Sequence, residues 1–245
     1  MEIAFSLTVV RRNVQILAWT LIWSGVFIFG YLGWQLFGTD VVNAAVQAEA
    51  HEELEQAFEN TEDVLPEFEE IDPAVYLGED PGETQGLVEF YSEEEPETGD
   101  AIAFIRIDKI GVDEVIFEGV DRQTLKSGPG HQEGTPLPGQ PGNAVLSGHR
   151  TTYGRPFYDF DLLEVGDRIE VESAIGVHIY EIREIQIVQP TDIWVTDDRP
   201  GAWLTLTTCE PKFSARKRLV VWAEMVSGPN LEFARLHKEK FGSGS

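Results

Sequence analysis

The sequence predicts a mainly β domain, a barrel or sandwich of short strands with short helices, behind one N-terminal transmembrane helix and an acidic linker. Three observations predict it. A long uncharged apolar run lies near the N-terminus, almost all of the net negative charge lies in one stretch, and the rest alternates in short apolar segments punctuated by Gly and Pro. Together they divide the 245 residues into a cytoplasmic N-terminus at 1–12, a transmembrane helix at 13–39, an acidic extracytoplasmic linker at 40–100, a folded domain at 101–228 and a C-terminal tail at 229–245.

The transmembrane helix rests on the run from Asn13 to Thr39, which contains no charged residue and follows Arg11 and Arg12. Its apolar centre, Val14 to Phe37, is long enough as a helix to cross a hydrocarbon core of about 30 Å with some tilt. Tyr31 and Trp34 stand near its outer end, where interfacial rings belong. The arginines precede the span and the acids follow it, so the N-terminus is expected in the cytoplasm and the remainder outside the cell membrane. A cleaved signal peptide is the competing reading, because Ala44-Ala45 and Ala48-Glu49-Ala50 supply small residues downstream. The apolar run exceeds the roughly 7–15 residues of a signal core, which favours an uncleaved single-pass anchor.

The formal net charge is −25, and the 52 residues from Glu49 to Asp100 carry twenty Asp and Glu with no Lys or Arg. Pro66, Pro73, Pro81 and Pro96 are scattered through the same region. Asn43 to Glu59 has helical propensity; beyond it no period is sustained, and the segment reads as a solvated, disordered extender holding the domain off the membrane. The acidic balance repels phosphate backbones, so nucleic-acid binding is disfavoured. A single Cys excludes an intramolecular disulfide framework and a Cys-rich zinc site.

In the domain, strands are expected at Ala101–Ile107, Val112–Phe117, Asn143–Ser147, Arg168–Glu172, Val177–Val188, Trp203–Thr208 and Leu219–Val226, with a short helix or turn at Gly119–Lys126. Ser127 to Gly142 is dense in Gly and Pro and reads as a surface loop. The chain closes on a Gly/Ser end, Phe241 to Ser245, which is either native or a scar.

The lone cysteine, Cys209, ends the strand Trp203-Leu-Thr-Leu-Thr-Thr-Cys. Alternation puts Thr205, Thr207 and Cys209 on one face and Leu204, Leu206 and Thr208 on the other. A basic loop leads to the next strand, so Arg218 can lie beside Cys209, where a cation favours thiolate and stabilises an oxyanion. Of five histidines, His51 in the linker and His237 in the tail read as solvated, and His178 as a surface or packing residue. His131 and His149 remain as candidates for an acid/base, His149 at a strand end after Ser147 and Gly148.

Leu146-Ser-Gly-His-Arg150, Thr205-Leu-Thr-Thr-Cys209 about sixty residues on, and an Arg on the next strand resemble the sortase family. The run from Gly130 to Asn143 is similar to that family's segment before the catalytic His. The resemblance covers roughly 101–226 and implies an eight-stranded sortase-type β-barrel with cysteine transpeptidase activity at the cell surface. It implies Cys209 as nucleophile, His149 as acid/base and Arg218 on substrate and oxyanion. Thr207, Thr208 and Tyr153 become substrate or oxyanion contacts, with Thr207 better placed than Thr208 on the site face. No metal or organic cofactor is implied. The implied partners are surface proteins bearing Leu-Ala-x-Thr-Gly or Leu-Pro-x-Thr-Gly signals and an amine from a peptidoglycan precursor or a pilin lysine.

The Thr-Thr-Cys-x-Pro-Lys-Phe-Ser-Ala and His-Arg-Thr-Thr-Tyr-Gly series look most like class E, in which the Tyr matching Tyr153 is associated with a preference for Ala over Pro in the signal; class D is the runner-up. Class C is disfavoured, since Asp72-Pro73-Ala74 lacks the aromatic of that class's lid and no C-terminal span follows. A pilin-polymerising sortase, a cysteine hydrolase on the same scaffold and a non-catalytic surface module stay as alternatives.

Overall fold

The structure, a computed structural model, describes residues 2–34, 38–60, 67–78 and 86–242. Residues 35–37 of the expected span, Pro66 and Pro81 of the linker, and 243–245 of the Gly/Ser end lie outside the described residues.

The chain begins with α1 (Glu2–Gly33). Within it, Arg11–Gly33 is a 23-residue stretch long and apolar enough to cross a membrane, and none of its apolar window is buried in the protein. Next comes α2 (Thr39–Asn60). Here the structure differs from the expected solvated extender, because α2 lies against the domain. Val46, Ala50, Leu54 and Phe58 recur every four residues and form one apolar stripe, which packs on Phe104, Val115 and Phe117. Phe58 meets Phe104 edge-on at 5.7 Å. His51, expected in solvent, sits with its ring 4.6 Å from Phe104. The acids Glu49, Glu52, Glu53, Glu55 and Glu59 occupy the exposed remainder of the helix. The helix matches the propensity of Asn43–Glu59; what composition hid is its docking, because the acids set the average while four apolar residues set the packing.

Further elements lie among the described residues of the acidic stretch. The strand β1 (Glu67–Ile71), the helix α3 (Pro73–Leu77) and the strand β2 (Val88–Ser92) follow, with β1 and β2 antiparallel in register Glu69 to Phe90. Asp72 caps α3 by accepting from the Ala74 N–H at 2.9 Å.

The domain's strands are β3 (Ala101–Ile107) and β4 (Val112–Glu118). After the short helix α4 (Thr124–Ser127) come β5 (Gly130–His131) and β6 (Gly142–Ser147). The set is completed by β7 (Arg168–Ser173), β8 (Gly176–Val188), β9 (Ala202–Glu210) and β10 (Lys217–Ser227). They close an eight-stranded barrel in the order β10-β8-β7-β3-β4-β5-β6-β9, the barrel that the resemblance implies. Expected and observed strands agree to within two residues, because each strand alternates between an apolar interior and a mixed exterior. The exception is β5, two residues inside the Gly/Pro-rich segment, too short to carry any period. Ile105, Ile107, Ile116, Leu146, Ile169, Ile182, Leu204 and Leu206 fill the interior with no exposure.

The C-terminal segment, expected only as a tail, is helical over most of its described length. It forms α5 (Leu231–Gly242), with Phe233 and Ala234 buried. Phe233 meets Phe90 at 4.5 Å and Tyr76 at 5.0 Å. Asn230, fully buried, donates to the carbonyls of Tyr91 (2.8 Å) and Gly139 (3.0 Å), which ties the β1–β2 hairpin and α5 to one end of the barrel. His237, expected to be solvated, accepts at Nδ1 from the Gly201 N–H at 3.1 Å.

Candidate active site

Three adjacent strands build the site at the other end of the barrel. In β9 the side chains of Leu204, Leu206 and Thr208 are buried in the barrel, so Thr205, Thr207 and Cys209 face outward. Cys209 is half-buried. Arg218 in β10 pairs directly with it across the antiparallel ladder, which sets their Cα atoms about 4.5–5.5 Å apart. On the other side β6 runs parallel to β9, with Ser147 opposite Thr207. The Gly148 N–H continues that ladder to the Thr207 carbonyl at 3.1 Å, and His149 is the next residue. Gly148 is required here, since a Cβ would stand 2.5 Å from the Phe157 ring.

His149 is half-buried, and burial holds its imidazole below the usual 6.5, so at neutral pH it is mostly uncharged. Tyr153 covers it, the two rings 5.1 Å apart. The Arg218 guanidinium donates to the Ala215 and Lys217 carbonyls, each at 3.1 Å, and among the described residues no carboxylate pairs with it. Its charge therefore has no carboxylate counter-ion among the described residues. A cavity of about 720 Å³, lined by Ile187, Gln189, Glu210, Pro211, Arg216 and Lys217, opens next to this end of β9 and β10.

These strands belong to a recognisable domain. Residues 105–226 match the sortase domain. Sortase D from Bacillus subtilis is 36% identical over 137 residues, a match that covers 54% of this chain and 67% of that protein. The chain belongs to the sortase family.

Sortase SrtE1 from Streptomyces coelicolor is also 36% identical, over 146 residues, but the match takes in 53% of this chain and 42% of that longer protein. The chain thus spans less than half the length of that relative. The fold of a Clostridium perfringens sortase D5 transpeptidase superposes with a TM-score of 0.58 at 29% identity, over 75% of this chain and 99% of that one. These two relatives carry the E and D class letters to which the sequence motifs pointed.

Within this sortase, the remaining expected residues fall into two groups. Thr207 is half-buried on the Cys209 face. Thr208 is buried, and its hydroxyl donates to the Gly148 carbonyl at 2.7 Å, so it fixes the turn before His149 rather than facing the thiol. His131, the competing acid/base, is 2% exposed with both ring nitrogens engaged. Its Nδ1 lies 2.6 Å from Glu118 Oε2, and its Nε2 lies 3.0 Å from Thr135 Oγ1 and from the Pro136 carbonyl. His178 is fully buried between Gly139 and Gly228, a packing position. Among the described residues no group of three or more His, Cys, Asp or Glu is placed to hold a metal ion.

Arg150 is a residue whose part the sequence did not reveal. It is 2% exposed and gathers the Tyr158 carbonyl (2.7 Å), the Cys209 carbonyl (3.3 Å), Glu210 (3.0 Å) and Asp161 (2.7 Å). Lys212 adds a second brace to Asp159 and Asp161 and lies 4.0 Å over the Tyr158 ring. The segment after His149 and the loop after Cys209 are thereby fixed to each other. The available signal was adjacency: Arg150 follows His149 directly and must point the other way.

Proposed function

We propose that this sortase is a membrane-anchored cysteine transpeptidase that cleaves the Thr–Gly bond of a C-terminal sorting signal and transfers the protein to an amine. The observation that supports the reading is that Cys209 pairs with Arg218 across β9 and β10, while His149 stands two residues beyond Ser147, the parallel partner of Thr207. Cys209 passes its thiol proton to the neutral imidazole of His149, and the sulfur attacks the threonine carbonyl carbon. Arg218 stabilises the oxyanion that forms. The imidazolium returns the proton to the glycine nitrogen, the C–N bond breaks, and a thioester is left on Cys209. An incoming amine attacks that thioester, gives its proton to His149, and Cys209 leaves.

The expected substrates are surface proteins with Leu-Ala-x-Thr-Gly or Leu-Pro-x-Thr-Gly signals, and the expected acceptor is a peptidoglycan-precursor amine or a pilin lysine. Tyr153, packed on His149, is the candidate for the Ala preference. The paired arginines before the span favour a cytoplasmic N-terminus and an external domain.

Incubation with a labelled signal peptide of either type is expected to add the acyl mass to Cys209, read by intact-mass spectrometry, and Cys209→Ala to abolish the adduct. Arg218→Ala is expected to lower kcat by roughly 10²–10³-fold. Release of free acid in the presence of excess amine would replace the transpeptidase with a hydrolase, and a wild-type thiol that neither peptide acylates would overturn both. Because Cys209 is the only cysteine, a membrane-impermeant maleimide reports topology directly: labelling of intact cells is expected, and labelling only after lysis would reverse the orientation.

A further inference from the structure

The turn that follows His149 holds three consecutive residues in the left-handed region: Tyr153 (φ 52°), Gly154 (φ 74°) and Arg155 (φ 55°). Tyr and Arg resist this conformation at about 1 kcal/mol or more each, so the turn needs support from outside. That support comes from the first turns of α2. Asp40 accepts from the Gly154 N–H at 3.1 Å with one oxygen and pairs with the Arg155 guanidinium at 3.1 Å with the other.

Asn43 is 4% exposed and donates to the carbonyls of Lys126 and Ser127, each at 2.9 Å. Its Oδ1 occupies the space a Cβ on Gly154 would need, 2.0 Å away, so only glycine allows helix and turn to meet. One helical turn on, Gln47 donates to the Ser127 carbonyl (2.7 Å) and accepts from the Val115 N–H (2.7 Å). Lys126 reaches over the Tyr153 ring at 5.9 Å. The sequence of contacts runs without a gap from α2 through the turn to Tyr153 and so to His149.

We infer that Asp40 and Asn43 are positioning residues for His149, through which the juxtamembrane helix sets the acid/base group of the site. The inference rests on the proposed transpeptidase reading. The charged groups around the turn are Asp40 from α2, Lys126 from α4, Glu114 from β4, Arg155 and Asp159 of the segment itself, and Lys212, which pairs with Asp159. With the turn released, Tyr153 uncovers the imidazole, which then titrates closer to its ordinary 6.5.

The test uses the full chain in detergent micelles, with Asp40→Ala, Asn43→Ala and the conservative Asp40→Glu. Leu54→Ala is the control, since it loosens α2 at the opposite end, against Phe104 and Phe117. In Asp40→Ala and Asn43→Ala, kcat with the labelled signal peptide is expected to fall about tenfold while KM changes less than about twofold. Histidine-selective NMR is expected to show the His149 pKa moving upward. Asp40→Glu is expected to recover part of both, whereas Leu54→Ala lowers the thermal midpoint and leaves kcat and the His149 titration in place. An unchanged His149 titration in Asp40→Ala overturns the inference whether or not the peptide reacts, and so does an equal response in Leu54→Ala. Failure of the transpeptidase reading shows separately, as absence of wild-type acylation.

Discussion

His178 shows what a buried imidazole does when it has no chemistry to perform. It has no exposure, its Nδ1 has no hydrogen-bond partner among the described residues, and burial pushes its pKa down to about 4. The unfolded chain, titrating near 6.5, binds more protons than the folded one between the two values, so this residue's contribution falls as pH drops from 6.5 to 4. The full loss is of the order of 3 kcal/mol. Glu114, pushed up to about 7 by burial and then by Asp113, acts in the opposite sense across an overlapping range. The quantity to measure is therefore a difference: His178→Gln is expected to be relatively more stable than wild type at pH 4.5 than at pH 7, by urea unfolding. At the site, Arg150→Met is expected to cost about 3 kcal/mol, because Glu210 and the Cys209 carbonyl lose a buried partner. It is also expected to slow acylation more than it raises KM, measured by peptide kinetics.

Among the elements, α2 carries the main lesson. Leu54→Ala removes a side chain that is 7% exposed and is expected to cost roughly 2 kcal/mol, seen as a lower thermal midpoint. The four-residue spacing of Val46, Ala50, Leu54 and Phe58 was readable, but the surrounding acids pointed to a solvated chain. Its partners, Phe104 and Val115, stand more than forty residues away, and local patterning does not reveal such a contact. The barrel strands were legible because alternation is a local signal, and Cys209, His149 and Arg218 because strand ends and one connecting loop place them. Arg150 and β5 were not legible, the first because its partners come from three segments, the second because two residues carry no period. The packing of α5 was missed for the same reason as that of α2: Phe233 finds Tyr76 and Phe90 only in the folded chain.

For the whole molecule, the charge keeps its place in the sequence but changes its role. Residues 49–100 still hold twenty acids, yet their elements lie on the domain instead of standing between it and the membrane. The folded protein thus gathers like charges, and salt is expected to relieve them: raising ionic strength from 10 to 150 mM should lift the thermal midpoint by about 2–4 °C. A midpoint that fell with salt would show that ion pairs, not repulsion, dominate. The apolar helix ends at Gly33, and Asp40, only seven residues later, already touches the turn behind His149. In the membrane-anchored reading proposed above, a tether this short turns the encounter with an acceptor amine held at the membrane into a search over a surface. Its rate then follows the number of acceptors per unit area of bilayer, and diluting the bulk solution leaves it unchanged.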